Sequence, residues 1–161
     1  NYPAAMAAEA FKILKELGTP CLIHQPRYNM LDRWVEDGLL DVLEENGVGG
    51  IAFSPLNQGI LTGKYLNGFP KVSRVMKDSS FLNREKVEED LSKVRLLNIL
   101  AEERGQTLAQ MAIAWLLRDQ RITSVLVGAS RSSQLLDSVK ALDCLDFDSD
   151  TLAKIEIILN V

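Results

Sequence analysis

Three short, almost wholly apolar stretches alternate with helical periods along this chain, and that alternation restricts its fold more than any other feature. Cys21-Leu22-Ile23-His24-Gln25 is the first and is closed by Pro26. Residues 48–53 form the second, and Ser124-Val125-Leu126-Val127-Gly128 the third. The pattern predicts strands near 20–25, 48–53 and 123–128. Runs apolar on both alternating faces belong to strands that are covered on both sides. Helices between strands imply crossover connections, and hence an α/β fold with a parallel sheet. Three strands make either a small open sheet or part of a larger parallel structure such as a barrel.

The helices are read from spacing and from their stops. Met6, Ala10, Phe11, Leu14 and Leu17 recur at helical intervals over 4–17, with Pro3 suited to the first turn and Gly18 to the end. A second helix is expected over 33–46, with Trp34, Leu39, Leu40 and Leu43 apolar and Gly47 as its stop. Gly38 falls in the middle of that period. Further helices are expected over 84–104, 107–120, 132–142 and 150–159. The 107–120 helix opens with Thr107-x-x-Gln110, the pattern of a reciprocal cap. Residues 54–82 show no period, and so long an aperiodic stretch in a compact domain reads as a functional loop.

Composition excludes several classes. The chain has 161 residues, a net charge of −4, 47% hydrophobic and 25% charged residues. That is one ordinary globular domain, not a disordered, collagenous or disulfide-framed one. The acid balance argues against non-specific nucleic-acid binding. No apolar run reaches the roughly 18 residues of a membrane helix. Asn1-Tyr2-Pro3 carries no signal-peptide pattern and no Met, so the chain reads as beginning inside a longer one. Cys21 and Cys144 read as reduced structural thiols, which suits a cytoplasmic protein. One histidine and no CxxC spacing leave no zinc site, so no metal is expected.

In parallel α/β folds ligands gather at the carboxyl ends of the strands. The third end is Gly128-Ala129-Ser130-Arg131-Ser132-Ser133. Its small residues admit a ligand to the backbone, and the following helix start favours an anion. Taken alone, it is equally a serine cap on a helix. The second end runs Phe53-Ser54-Pro55-Leu56-Asn57-Gln58-Gly59-Ile60-Leu61-Thr62-Gly63-Lys64-Tyr65. Its ring could stack on a flat ligand, and its glycines and lysine could wrap a phosphate. It is one residue short of a P-loop, and a core phenylalanine before a surface loop reads the same way. At the first end, alternation puts Cys21, Ile23 and Gln25 on one face and Leu22 and His24 on the other. If Gln25 faces a ligand, His24 faces the helices and is structural. Glu44-Glu45 and Glu88-Glu89-Asp90 read as solvated helix faces, and Trp34, Met111, Trp115 and Leu116 as core.

Taken together, His24-Gln25-Pro26-x-Tyr28-Asn29, then Phe53-Ser54-Pro55-Leu56-x-x-Gly59-x-Leu61-Thr62-Gly63-Lys64-Tyr65, then Gly128-Ala129-Ser130 with Gln134-Leu135, resemble the aldo-keto reductases. The branch most resembled is that of the bacterial glyceraldehyde-3-phosphate reductases and the β subunits of voltage-gated potassium channels. The resemblance implies a (β/α)8 TIM barrel of about 250 residues or more. It implies that residues 1–161 form a single partial domain, the carboxyl-terminal half, from the end of strand five through strand eight and the terminal helices.

The resemblance also implies roles. Asn1 and Gln25 would meet the nicotinamide carboxamide, and Phe53 would stack on its ring. Ser54, Leu56, Asn57 and Lys64 would hold the pyrophosphate region, and Arg74 the adenosine phosphate. Gly128, Ser130 and Gln134 would hold the adenosine 2′-phosphate end, with Asp137 and Ser138 near the adenine. Lys64, Arg131 and the helix start would favour NADP over NAD. The family's catalytic Tyr, Lys, Asp and His lie in the amino half, so none falls in this chain. The implied activity is reduction of a small aldehyde or ketone by the complete protein. The alternatives are a nucleotide-binding or redox-sensing module like the channel subunits, and an inert truncated product. The open strand edges would be covered by the missing amino half or by self-association, with no nucleic acid and no membrane as partner.

Overall fold

The computed structural model describes residues 1–69 and 84–160. Strands β1 (Ile23–His24), β2 (Gly49–Ala52) and β3 (Ile122–Val125) form one sheet in the order β1–β2–β3, parallel throughout. Ile23 lies opposite Gly49, and Gly50 opposite Ile122, with a register shift before Ile51 meets Ser124. All three expected strands occur, but β2 is shorter than 48–53, and β3 starts at Ile122 and ends at Val125, short of the expected 128. β1 is shorter than 20–25, because Pro26 brings no N–H to the ladder. Pairing resumes one step later as an isolated parallel bridge between Arg27 and Phe53.

Helices flank the sheet: α1 (Ala4–Glu16), α2 (Leu39–Glu45), α3 (Arg84–Glu103), α4 (Leu108–Leu117), α5 (Ser132–Val139) and α6 (Ser149–Leu159). The helix expected over 33–46 is broken. A 3-10 turn spans Trp34–Glu36, and Gly38 sits at φ 80° before α2 starts. A left-handed residue cannot continue a right-handed helix, and glycine is the residue that adopts it without a steric cost. The helix expected over 132–142 ends at Val139 and continues as a 3-10 turn, Lys140–Asp143. The aperiodic stretch opens with a kinked 3-10 segment, Asn57–Thr62. Its portion 70–83, Arg74 included, lies outside the described residues.

The reciprocal cap of α4 forms as read. Gln110 N–H donates to Thr107 Oγ1 at 3.2 Å, and Thr107 N–H donates to Gln110 Oε1 at 3.0 Å. Residues 108–116 of α4 are all buried, so this helix forms the centre of the core rather than a half-wet face. Leu39, Leu40 and Leu43 of α2 and Tyr28 belong to the same buried cluster as Met111 and Trp115 of α4. Gly50 of β2 leaves room for the close approach of β3. A Cβ there would stand 2.8 Å from the Arg121 carbonyl and 3.1 Å from Ile122 Cδ1.

Both sheet margins and the helices beside them carry exposed apolar side chains. Leu17 is 70% exposed and Leu22 74%, and Leu126, Leu135 and Leu136 are exposed on the β3 side. Parallel strands with flanking helices and open margins fit the part of a (β/α)8 barrel that the resemblance implies. Among the described residues, no helix is long and apolar enough to cross a membrane. Cys21 and Cys144 are free and half-buried.

Candidate functional site at the strand carboxyl ends

Parallel pairing sets the carboxyl ends of the three strands side by side. His24 turns to the helices as alternation required: its ring lies 6.0 Å from that of Phe11 on α1, edge-on. Its buried Nε2 has no hydrogen-bond partner among the described residues. Burial holds the imidazole below its ordinary pKa. Gln25, on the opposite face, is exposed. Asn1 lies at the same end, its Oδ1 accepting from Arg27 N–H at 2.8 Å.

Phe53 is half-buried at the end of β2. The loop beyond it is bent through three non-glycine residues in the left-handed region: Ser54 at φ 58°, Asn57 at 43° and Gln58 at 57°. Each costs about 1 kcal/mol or more, so the surroundings must hold them there. Two side chains from the first strand end do so. Asn29 Nδ2 donates to the Ser54 carbonyl at 3.0 Å. Arg27 Nη2 donates to Asn57 Oδ1 at 2.9 Å. Within the loop, Asn57 N–H donates to the Ser54 carbonyl at 3.0 Å, and Gly59 N–H to the Leu56 carbonyl at 2.8 Å. Leu56 is half-buried and Lys64 exposed, with Lys64 Nζ 5.6 Å from the centre of the Tyr65 ring.

At the third end a Cβ on Gly128 would meet nothing within 4 Å, which leaves open space beside the backbone. Gln134 Oε1 gathers the turn before α5. It accepts from Ser130 N–H at 2.9 Å, Ser130 Oγ at 3.1 Å and Arg131 N–H at 3.2 Å. The Ser138 hydroxyl donates back to the Gln134 carbonyl at 2.9 Å. Asp137 is tied to α4, accepting from Gln110 Nε2 at 2.6 Å and Thr107 Oγ1 at 3.4 Å. Its contact therefore runs to the preceding helix, through the residues of the α4 cap.

The sheet thus brings together Asn1, Gln25, Phe53, Ser54 and Asn57, with Gly128, Ser130 and Gln134 at the next strand end. The sequence pattern assigns no role to Arg27 or Asn29. An arginine directly after a strand-ending proline was the one hint. Its partners at the strand ends, Asn1 and Asn57, lie 26 and 30 positions away, where no local pattern reaches.

A charged cluster supports the first strand end from behind. Glu36 accepts from Tyr28 Oη at 2.7 Å and from Arg33 Nε at 2.8 Å, and Arg33 also bonds Glu156 at 2.8 Å. Desolvation, the largest single influence on Glu36, raises its pKa. The Arg33 and Tyr28 bonds outweigh it and leave the carboxyl below its ordinary value of 4.5. Asp119 is held below 3.8, first by its Arg121 bond. A lowered native pKa stabilises the fold above the unfolded value, and that stabilisation is lost as pH falls through the native one. Stability should therefore fall in two stages on acidification: first below about pH 6.5 as His24 is charged on unfolding, then below about 4.5 as the carboxylates are protonated. Denaturant unfolding at stepped pH checks this. Glu36→Gln should lower stability at pH 7 and flatten the acid stage, and an unchanged acid stage in that variant would contradict the assignment.

The family model described as "Aldo/keto reductase family" matches residues 1–160. Two curated L-glyceraldehyde 3-phosphate reductases, from Escherichia coli O157:H7 and strain K12, are 50% and 49% identical to the chain. Each alignment runs over 161 residues, covering 97% of this chain and 46% of the relative. A probable voltage-gated potassium channel subunit beta from Arabidopsis thaliana is 41% identical over 128 residues, 77% of this chain and 39% of that protein. The chain spans about half the length of the curated relatives it matches.

Proposed function

The chain belongs to the aldo/keto reductase family, and we propose that the complete protein is an NADP-dependent reductase of small aldehydes or ketones, with residues 1–161 supplying much of its dinucleotide site. The observation that carries the reading is the convergence of three parallel strand ends on one side of the sheet, each bearing polar groups suited to one part of a dinucleotide. The half-buried ring of Phe53 and the amides of Asn1 and Gln25 suit a flat ring with a carboxamide. The pyrophosphate is placed along the loop that starts at Ser54, with Lys64 as its cation, where the family resemblance puts it. Open space at Gly128, with Ser130 beside the start of α5, suits a phosphorylated ribose. Lys64, Arg74 and Arg131 add positive charge, which favours the extra phosphate of NADP over NAD.

When bound, NADPH supplies a hydride to the carbonyl carbon, and a proton on the oxygen completes the alcohol. The chain's own residues hold and orient the dinucleotide. No residue here is assigned the proton. We place the protein in the cytoplasm, where two free thiols persist. The likeness to a channel β subunit favours one second reading, a nucleotide-binding module with slow or no turnover.

The test is a titration of the full-length protein with NADPH, followed by turnover with glyceraldehyde 3-phosphate and other small aldehydes. Binding with turnover is expected, and binding without turnover supports the second reading. Ser130→Ala and Arg74→Ala should each raise the NADPH Kd about tenfold or more, the effect of losing one charge-assisted bond of about 1.5–3 kcal/mol. If both variants bind as tightly as the parent, the phosphate assignment fails. If the parent binds neither NADPH nor NADH, the functional reading fails.

A further inference from the structure

Arg27 and Phe53 form a parallel bridge in which Phe53 makes both ladder bonds. Phe53 N–H donates to the Pro26 carbonyl at 3.0 Å, and the Phe53 carbonyl accepts from Tyr28 N–H at 3.3 Å. The backbone groups of Arg27 therefore point the other way. Its N–H donates to Asn1 Oδ1 at 2.8 Å, and its carbonyl accepts from Trp34 Nε1 at 2.9 Å. The side chain then crosses to the loop beyond β2. Its Nη2 donates to Asn57 Oδ1 at 2.9 Å, and its Nε lies 2.9 Å from Asp32 Oδ2. One residue thus touches Asn1, pairs with Phe53 and bonds Asn57.

Asn57 is only 3% exposed, and its φ is 43°. A strained backbone persists where neighbours fix it, and here the fixed partner is a guanidinium anchored at its own backbone. Asp32 offsets the charge of that guanidinium, so its contribution is placement of the loop, not direct grip on an anion. We infer that Arg27 is a positioning residue of the dinucleotide site, locking the loop that starts at Ser54 to the end of β1. This rests on the dinucleotide reading proposed above. A loop already in its bound shape costs the ligand less ordering, so breaking the lock should weaken binding while leaving the chemistry of bound ligand intact.

The experiment uses the full-length protein and NADPH. Arg27→Ala should raise Kd and KM for NADPH about tenfold or more. At saturating NADPH, kcat and the aldehyde KM should stay within about threefold of the parent. Arg27→Lys, which keeps one donor, should recover part of the affinity. Arg27→Met keeps the length of the side chain and removes every donor, so it keeps the test open if Arg27→Ala does not fold. It should reproduce the rise in Kd. If the parent binds NADPH and Arg27→Met binds it equally well, the inference fails and the dinucleotide reading stands. A fall in kcat with unchanged NADPH KM would likewise overturn it. If the parent binds no NADPH, both readings fall together.

Discussion

Trp115→Ala is expected to destabilise the full-length protein by about 3–5 kcal/mol, the range for removing a large aromatic side chain from a core. Trp115 lies on α4 and is fully buried. Its ring centre stands 5.5 Å from that of Tyr28, which follows β1. Two guanidinium groups lie over the indole, Arg118 at 4.0 Å and Arg33 at 5.3 Å. Alanine would therefore leave a cavity and also strip two cations of their aromatic face. The second loss reaches further, because Arg33 also bonds Glu36 and Glu156. Trp115→Phe keeps much of the volume and should cost less. Urea unfolding followed by circular dichroism measures both. An alanine variant with an unchanged midpoint would show that α4 is not the centre of the core.

Features fixed by near neighbours were readable from the sequence. The three strands could be placed because each apolar run is bounded by proline, glycine or a helix start. The α4 cap could be read because its two bonds join residues three apart. Gly38 was visible as an interruption, but only the structure shows it at φ 80°, ending one helical turn and admitting α2. The early end of β1 follows from Pro26, which the sequence shows, but the bridge that resumes between Arg27 and Phe53 joins residues 26 apart and is not local. The site divides the same way. Its strand ends were legible as small and polar sequences. The bonds that shape them join Arg27 to Asn57, Asn29 to Ser54 and Asp137 to Gln110, across 25 to 30 positions. Left-handed backbone at Ser54, Asn57 and Gln58 carries no glycine to announce it. It is imposed from outside the loop, by tertiary hydrogen bonds.

The second large effect concerns residues 1–161 produced alone: no NADPH-dependent reduction of a small aldehyde is expected from them. A general acid must stand within hydrogen-bond reach of the carbonyl oxygen, and it contributes about 10²–10⁴-fold in rate. The lone histidine is turned away from the site and packs on Phe11. Tyr28 is buried with its hydroxyl committed to Glu36, and burial, with Glu36, pushes its pKa far above the ordinary value of 10.0. Tyr65 is buried as well. None of these side chains is placed to give up a proton at the strand ends. The open margins compound the loss, since exposed Leu17, Leu22, Leu126 and Leu136 leave apolar surface that pairs with something. The polypeptide alone should therefore self-associate, as light scattering would show, and turn over no substrate. Adding an amino-half fragment should suppress that association and restore NADPH oxidation. A monomeric polypeptide that reduced aldehydes by itself would mean that a proton donor within these residues does the work, and that the division of labour proposed between the two halves is wrong.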